Sequence, residues 1–231
     1  MIHQSDSVQT PRRHFVVRLL AGAGALAVAA GIPQRLAGET PRGPNDVASG
    51  GDDWMGELKG KHRTVFDMSA HKNGKPLGQG KNYLDAWRDS FKVPEHDINL
   101  VFGIHGEAIP VVLNDSLWTR FKIGEQYEVM DGGTKSPSVR NPFVAANAAA
   151  SGLLTLEQSV DRLQARGVRF LVCMNTIAAA TKKLSSAGFG SPDEVHSAIV
   201  GGLLPGVITV PAMVVALTQL QERGVKYTKI A

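Results

Sequence analysis

Two residues of this chain combine a reactive side chain with a position at the end of an apolar run. Cys173, the single cysteine among 231 residues, follows the apolar stretch 168–172, and His105 ends the stretch 97–105 just before Gly106. In parallel α/β sheets, ligands and chemistry collect at the carboxyl ends of strands. A neighbouring histidine, or a helix that starts at the cysteine, favours the nucleophilic thiolate. If the two strands are neighbours, the sequence therefore predicts a sulfur nucleophile in a crevice shared by Cys173 and His105.

Each of these residues also has a purely structural interpretation. Free cysteine is among the most buried residue types, so Cys173 is also explained as a small apolar side chain that ends a strand. His105 is also explained as a hydrogen-bonded histidine at a strand end, Asn175 as a helix cap and Met174 as a core side chain. The residues alone leave both interpretations open.

The other common catalytic and binding patterns are missing from the sequence. It contains no GxSxG, no GxxxxGK[ST], and no HxH, HExxH or Cys-x-x-Cys pattern, so we predict no metal site. The net charge of +4 is concentrated at the start: four arginines and one aspartate give residues 1–37 a charge of +3. Because residues 38–231 carry only the remaining +1, they offer no basic patch for nucleic acid.

Residues 1–37 have the pattern of a twin-arginine export signal. Arg12 and Arg13 precede the weakly hydrophobic run Leu19–Ala30, and Phe15 stands two residues after the pair. This run is about 12 residues long, shorter than the roughly 20 that a membrane span needs. We therefore predict a periplasmic protein with no stable membrane span after signal removal.

A single domain is expected to follow the signal. Residues 38–53, rich in Gly, Pro, Asp and Ser, are predicted to form a flexible linker, and the domain to occupy residues 54–231. In the periplasm, one cysteine cannot form an intramolecular disulfide. Cys173 is therefore inert, paired with another chain, or a reactive thiol.

The apolar periodicity predicts alternating strands and helices that position these residues. Strands are predicted at 63–70, 97–105, 168–172, 205–210 and 225–230. Helices are predicted at 82–93, 113–124, 141–150, 155–166, 176–186, from 191 onward and at 211–223. The helix after Cys173 is expected to have Asn175 or Thr176 as its N-cap, and the polar segment 125–138 is a candidate lid or subunit contact. This alternation predicts a three-layer α/β/α fold with a five-stranded, mostly parallel sheet.

Three segments resemble the DsrE/DsrF-like (YchN-like) family. They are VFGIHG ending at Gly106, RGVRFLVCMNT at 166–176, and the segment 205–227 that begins PGVITVPA. The resemblance covers roughly residue 63 to the C-terminus. It implies a compact α/β/α fold assembled into homotrimers or hexamers, and in better-studied members a sulfur relay through a cysteine persulfide.

Transferred to this sequence, the resemblance makes Cys173 the sulfur-carrying thiol, with His105, Gly106 and Asn175 lining its pocket. The function expected is a periplasmic sulfur relay of the sulfurtransferase type, distinct from a turnover enzyme. Its partner is a sulfur donor or acceptor protein or a small sulfur compound. No cofactor is assigned beyond a persulfide on Cys173. Two alternatives use the same crevice: a module that binds haem or another small ligand, and an interaction subunit of an oligomer.

Overall fold

Five parallel strands form the single sheet seen within residues 53–230. They are β1 (His62–Ala70), β2 (Ile98–Glu107), β3 (Arg169–Cys173), β4 (Val207–Val210) and β5 (Lys226–Ile230). Their order across the sheet is β4-β3-β2-β1-β5, and every neighbouring pair is parallel. The computed structural model describes residues 53–230, so the predicted signal and nearly all of the predicted linker lie outside the described residues.

Helices cover both faces of the sheet. They are α1 (Asp53–Gly56), α2 (Lys75–Asp85), α3 (Asp115–Arg120), α4 (Ile123–Gln126), α5 (Ala145–Ser151), α6 (Val160–Ala165), α7 (Met174–Ser186), α8 (Pro192–Gly201) and α9 (Met213–Glu222). The buried residues of α2 to α8 pack on one face, and those of α1 and α9 pack on the other, here called the α9 face. The prediction of a three-layer α/β/α fold is confirmed, with a sheet that is parallel throughout its five strands.

Strict alternation of side chains assigns each strand residue to one of the two cores. Phe102 and Phe170 point to the α7 side, where their rings stack with centroids 5.1 Å apart. Val101 and Leu171, one position away, belong to the core beneath α9. Both sets are fully buried, which explains why these parallel strands have nearly continuous apolar sequences.

The first long helix begins earlier than the sequence predicts. The helix expected at 82–93 starts at Lys75 and ends in a π-helical turn at Ala86–Ser90. Gly74, with a φ of 84°, turns the chain into the helix, and Pro76 occupies its first turn, where the missing N–H costs nothing. The predicted start of this helix at residue 82 was therefore wrong by seven residues.

The predicted helix 113–124 is broken into α3 and α4. The break falls at Lys122, whose φ of 48° lies in the left-handed region. Asn114 caps α3, because its side chain accepts the N–H of Leu117 at 3.2 Å. Asn141, predicted to begin the next helix, instead donates to the Leu113 carbonyl at 2.7 Å, and α5 begins only at Ala145.

The elements before β3 agree more closely with the sequence. Thr155 and Gln158 form a capping box at the start of the predicted helix 155–166, although the turn they cap is a 3-10 turn that precedes α6. Gly167, with a φ of 83°, ends the helical segment one residue after the predicted helix 155–166. In the segment 125–138, Tyr127 and Val129 are buried in the core on the α7 side. None of the helices within residues 53–230 has the length and apolar character needed to cross a membrane.

Candidate functional site

Cys173 lies where the connections of two adjacent strands leave toward opposite faces of the sheet. It ends β3, and its partner in the register is Val210, which ends β4. After β3 the chain enters α7 on one face, whereas after β4 it enters α9 on the other. Such a divergence opens a crevice at the carboxyl ends of parallel strands, and this is the usual ligand position in open α/β sheets.

The thiol of Cys173 is held between the N-termini of two helices. Cys173 is itself the N-cap of α7, so the prediction of Asn175 or Thr176 as the cap was wrong by two or three positions. Its Sγ accepts the backbone N–H of Met213, the first residue of α9, at 3.3 Å. The first N–H groups of a helix have no partner within the helix and carry its positive partial charge. The sulfur therefore takes the place that an anion or a capping oxygen commonly occupies.

The thiol is also buried. Cys173 is 4% exposed and packs in the apolar core beneath α9 together with Leu171 and Val210. A reagent therefore reaches Sγ only if the packing around it opens, and the first turn of α9, which donates to the sulfur, is an element in direct contact with it.

His105 lies on the strand next to that of Cys173, one residue beyond the last recorded pair of their register. Gly103 pairs with Leu171 and Ile104 with Val172, so His105 and Cys173 occupy the next position on adjacent strands. The condition that β2 and β3 are neighbours is thus confirmed. The imidazole, however, bonds toward β1: its Nε2 lies 2.6 Å from an oxygen of Asp67. Within residues 53–230, no hydrogen bond joins His105 to Cys173.

Asp67 connects His105 to a tyrosine on the edge strand. One carboxylate oxygen meets His105 Nε2 on β2, and the other accepts the hydroxyl of Tyr227 on β5 at 2.7 Å. Asp67 is 9% exposed, and a buried carboxylate is stable only when hydrogen-bonded. Its hydrogen bond, and its charge, raise the pKa of Tyr227 because the hydroxyl proton is held by the anion.

Sequence reasoning missed Asp67 and Tyr227. The available signal was the single acidic residue inside the apolar strand RTVFDMSA, since a charged residue at a buried strand position is unusual. Tyr227 had no such signal, because its role depends on β5 pairing with β1.

The two other predicted site residues, Gly106 and Asn175, both lie near the start of α7. Gly106 has a φ of 56°, and its N–H donates to the hydroxyl of Thr176 at 3.2 Å, which ties the end of β2 to α7. Asn175 is the second residue of α7 and is exposed. Its side chain makes no hydrogen bond to the rest of the described chain and is free to meet a ligand.

The described residues offer no set of three or more His, Cys, Asp or Glu side chains arranged to hold a metal ion. No protein-family model matches the chain, and no curated protein matches it. A solved structure described as a protein of unknown function, MTH1491 from Methanobacterium thermoautotrophicum, is similar over 73% of this chain and 99% of its own, with 16% identity and a TM-score of 0.38. This similarity is too weak to bear on function, which has to be inferred from the site.

Proposed function

We propose that this protein is an exported sulfur carrier in which Cys173 takes up a sulfur atom as a persulfide and passes it to an acceptor. The observation that carries the proposal is the hydrogen bond from the N–H of Met213 to Cys173 Sγ at the divergence of β3 and β4. A thiolate or persulfide anion there faces the positive end of α9. The resemblance of the segments around Gly106, Cys173 and Val210 to the DsrE/DsrF-like family supports the same chemistry.

The burial of Cys173 suits a carrier better than a turnover enzyme. A persulfide is readily lost to free thiols by exchange, and a site with 4% exposure restricts that loss. Transfer then requires a partner, a sulfur donor or acceptor protein or a small sulfur compound, that opens the segment 211–213. We propose that this exchange takes place in the periplasm, because the twin-arginine pattern in residues 1–37 predicts export to that compartment.

The haem-binding alternative has weaker support from the geometry. Cys173 Sγ already accepts the Met213 N–H, and Nε2 of His105 is already bonded to Asp67. These bonds leave Nδ1 of His105 open to a ligand, but Cys173 is only 4% exposed, so a haem iron reaches its sulfur only if the core beneath α9 opens. The oligomer alternative is compatible with the sulfur carrier, and we propose a homotrimer or hexamer. Val214 and Val215, adjacent on α9 and exposed by 73% and 53%, are among the exposed apolar residues and are the pair that we propose for such a contact.

The proposal is tested by incubating the folded protein with inorganic polysulfide and measuring its intact mass. We expect the wild type to gain one sulfur atom that a reductant removes, and peptide mapping to locate it on Cys173. Cys173→Ser should gain none. If the native thiol stays unmodified and reacts only in a sample unfolded with urea, the sulfur-carrier proposal is wrong.

A further inference from the structure

A carboxylate on the central part of the sheet is held from both sides by neighbouring strands. Asp67 on β1 lies between His105 on β2 and Tyr227 on β5, and all three side chains point to the α9 face, where Cys173 lies. Among the described residues, no lysine or arginine pairs with Asp67. The histidine and the tyrosine are therefore the groups that make this buried carboxylate tolerable.

These two hydrogen bonds determine which nitrogen of the imidazole carries the proton. A carboxylate only accepts hydrogen bonds, so neutral His105 has to donate from Nε2. Because Tyr227 occupies the second carboxylate oxygen at 2.7 Å, Asp67 cannot rotate without losing a bond. Nδ1 is then the nitrogen with the lone pair, and it makes no hydrogen bond to any described residue.

We propose that Asp67 and Tyr227 are positioning residues that keep His105 in the Nε2–H form, with Nδ1 free to exchange a proton with the sulfur chemistry at Cys173. This inference rests on the sulfur-carrier function proposed above. His105 and Cys173 each follow the last recorded pair of the β2–β3 register, Ile104 with Val172, and adjacent strands lie about 4.8 Å apart. An arriving sulfur compound at the crevice is therefore within reach of both side chains.

The proton transfer fits a balanced reaction with a low-molecular-weight persulfide, R–S–SH, as the donor. The Cys173 thiol gives its proton to Nδ1, and the thiolate attacks the outer sulfur of the donor. The new Sγ–S bond forms as the donor S–S bond breaks, and the electron pair leaves on the inner sulfur of the donor. The imidazolium returns the proton to that sulfur, which gives R–SH and a persulfide on Cys173 without any added oxidant or reductant.

The tautomer is read from the ring nitrogen signals of ¹⁵N-labelled protein, with His105→Gln used to assign them. We expect Nε2–H in the wild type. In Asp67→Asn the Tyr227 hydroxyl takes the amide oxygen, so the amide NH₂ faces Nε2 and moves the proton to Nδ1. In Asp67→Asn combined with Tyr227→Phe the amide is free to flip, and the Nε2–H form should return. Asp193→Asn, a change at an exposed position, is the matched control.

The same variants are then compared for the rate of sulfur uptake from glutathione persulfide. We expect uptake to fall about 100-fold in Asp67→Asn and in His105→Gln. The double variant should recover most of the rate, which a merely structural role for Asp67 does not predict. Asp193→Asn should match the wild type.

The outcomes separate this inference from the proposed function. If the wild type takes up sulfur and Asp67→Asn reverses the tautomer without slowing uptake, the positioning role is wrong and the sulfur carrier stands. A wild-type Nδ1–H form also overturns the positioning role, even if Asp67→Asn does not fold. If the wild type takes up no sulfur, the proposed function fails and the proton transfer to Nδ1 fails with it.

Discussion

Gly103 lies on β2 beneath α9, and we predict that Gly103→Ala destabilises the protein and loosens the site at Cys173. A Cβ at this position lies 2.8 Å from Met213 Sδ and 3.7 Å from Leu217 Cδ2. Ordinary contacts between such atoms are about 3.5–4.0 Å, so Met213 has to move by roughly 1 Å. Overpacking of this kind costs about 1–3 kcal/mol, and we expect that loss in the free energy of unfolding.

The displacement of Met213 also affects the surroundings of the Cys173 thiol. Met213 provides both the sulfur atom that meets the new methyl group and the N–H that lies 3.3 Å from Cys173 Sγ. Because Met213 is only 4% exposed, we expect its side chain to have little room to rotate away and to push the first turn of α9 outward, which lengthens this hydrogen bond and opens the crevice. We therefore expect an alkylating reagent to modify Cys173 faster in native Gly103→Ala than in the wild type.

Urea unfolding of wild type and variants measures the effect on stability. Gly201→Ala is the matched control, because a Cβ there meets nothing within 4 Å at the end of α8. It should be neutral or stabilising by up to about 1 kcal/mol. Combining Gly103→Ala with Met213→Ala removes the clash, and the double-mutant cycle should show a coupling of about 0.5–3 kcal/mol. If Gly103→Ala is as stable as Gly201→Ala, or if the two changes are additive, the packing described here is wrong.

Two further predictions concern pH and assembly. Burial lowers the pKa of His71, whose Nδ1 accepts the N–H of Asn73 at 3.2 Å. The unfolded chain therefore binds the proton of His71 more tightly than the folded protein does. As a result, the free energy of unfolding decreases below about pH 6.5 and levels off at the lower pH where folded His71 is protonated too. His71→Gln should flatten this decline in the urea midpoint, whereas His96→Gln, at an exposed site, should keep it; equal slopes contradict the assignment. Light scattering should give a trimer or hexamer that a double replacement of Val214 and Val215 by Glu dissociates, and a monomeric wild type contradicts the assembly.

The architecture could be predicted because it depends on local patterns. Strands such as 97–105 and 168–172 are apolar along their length, and turn residues separate them from helices with one apolar face. The same patterns placed Cys173 and His105 at strand ends. The predicted helix starts were less accurate. The backbone angles of Gly74 and Lys122 redirect the chain, and so does the hydrogen bond from Asn141 to a distant residue.

The partners of the site residues could not be predicted from local sequence. The contact of Tyr227 with Asp67 requires that the last strand crosses back to pair with the first. The contact of Met213 with Cys173 requires that α9 covers the face opposite α7. Both contacts follow from the strand order, which brings together pairs of residues that are 160 and 40 positions apart in the sequence.

The central claim is that Cys173 carries sulfur in the folded protein. The most direct measurement is the intact mass of the exported protein, isolated without reductant, before and after treatment with dithiothreitol. The sulfur-carrier account predicts a fraction with the mass of one or more additional sulfur atoms, removed by the reductant and absent from Cys173→Ser. The same mass before and after reduction, with the Cys173 thiol free both as isolated and after exposure to polysulfide, would contradict it.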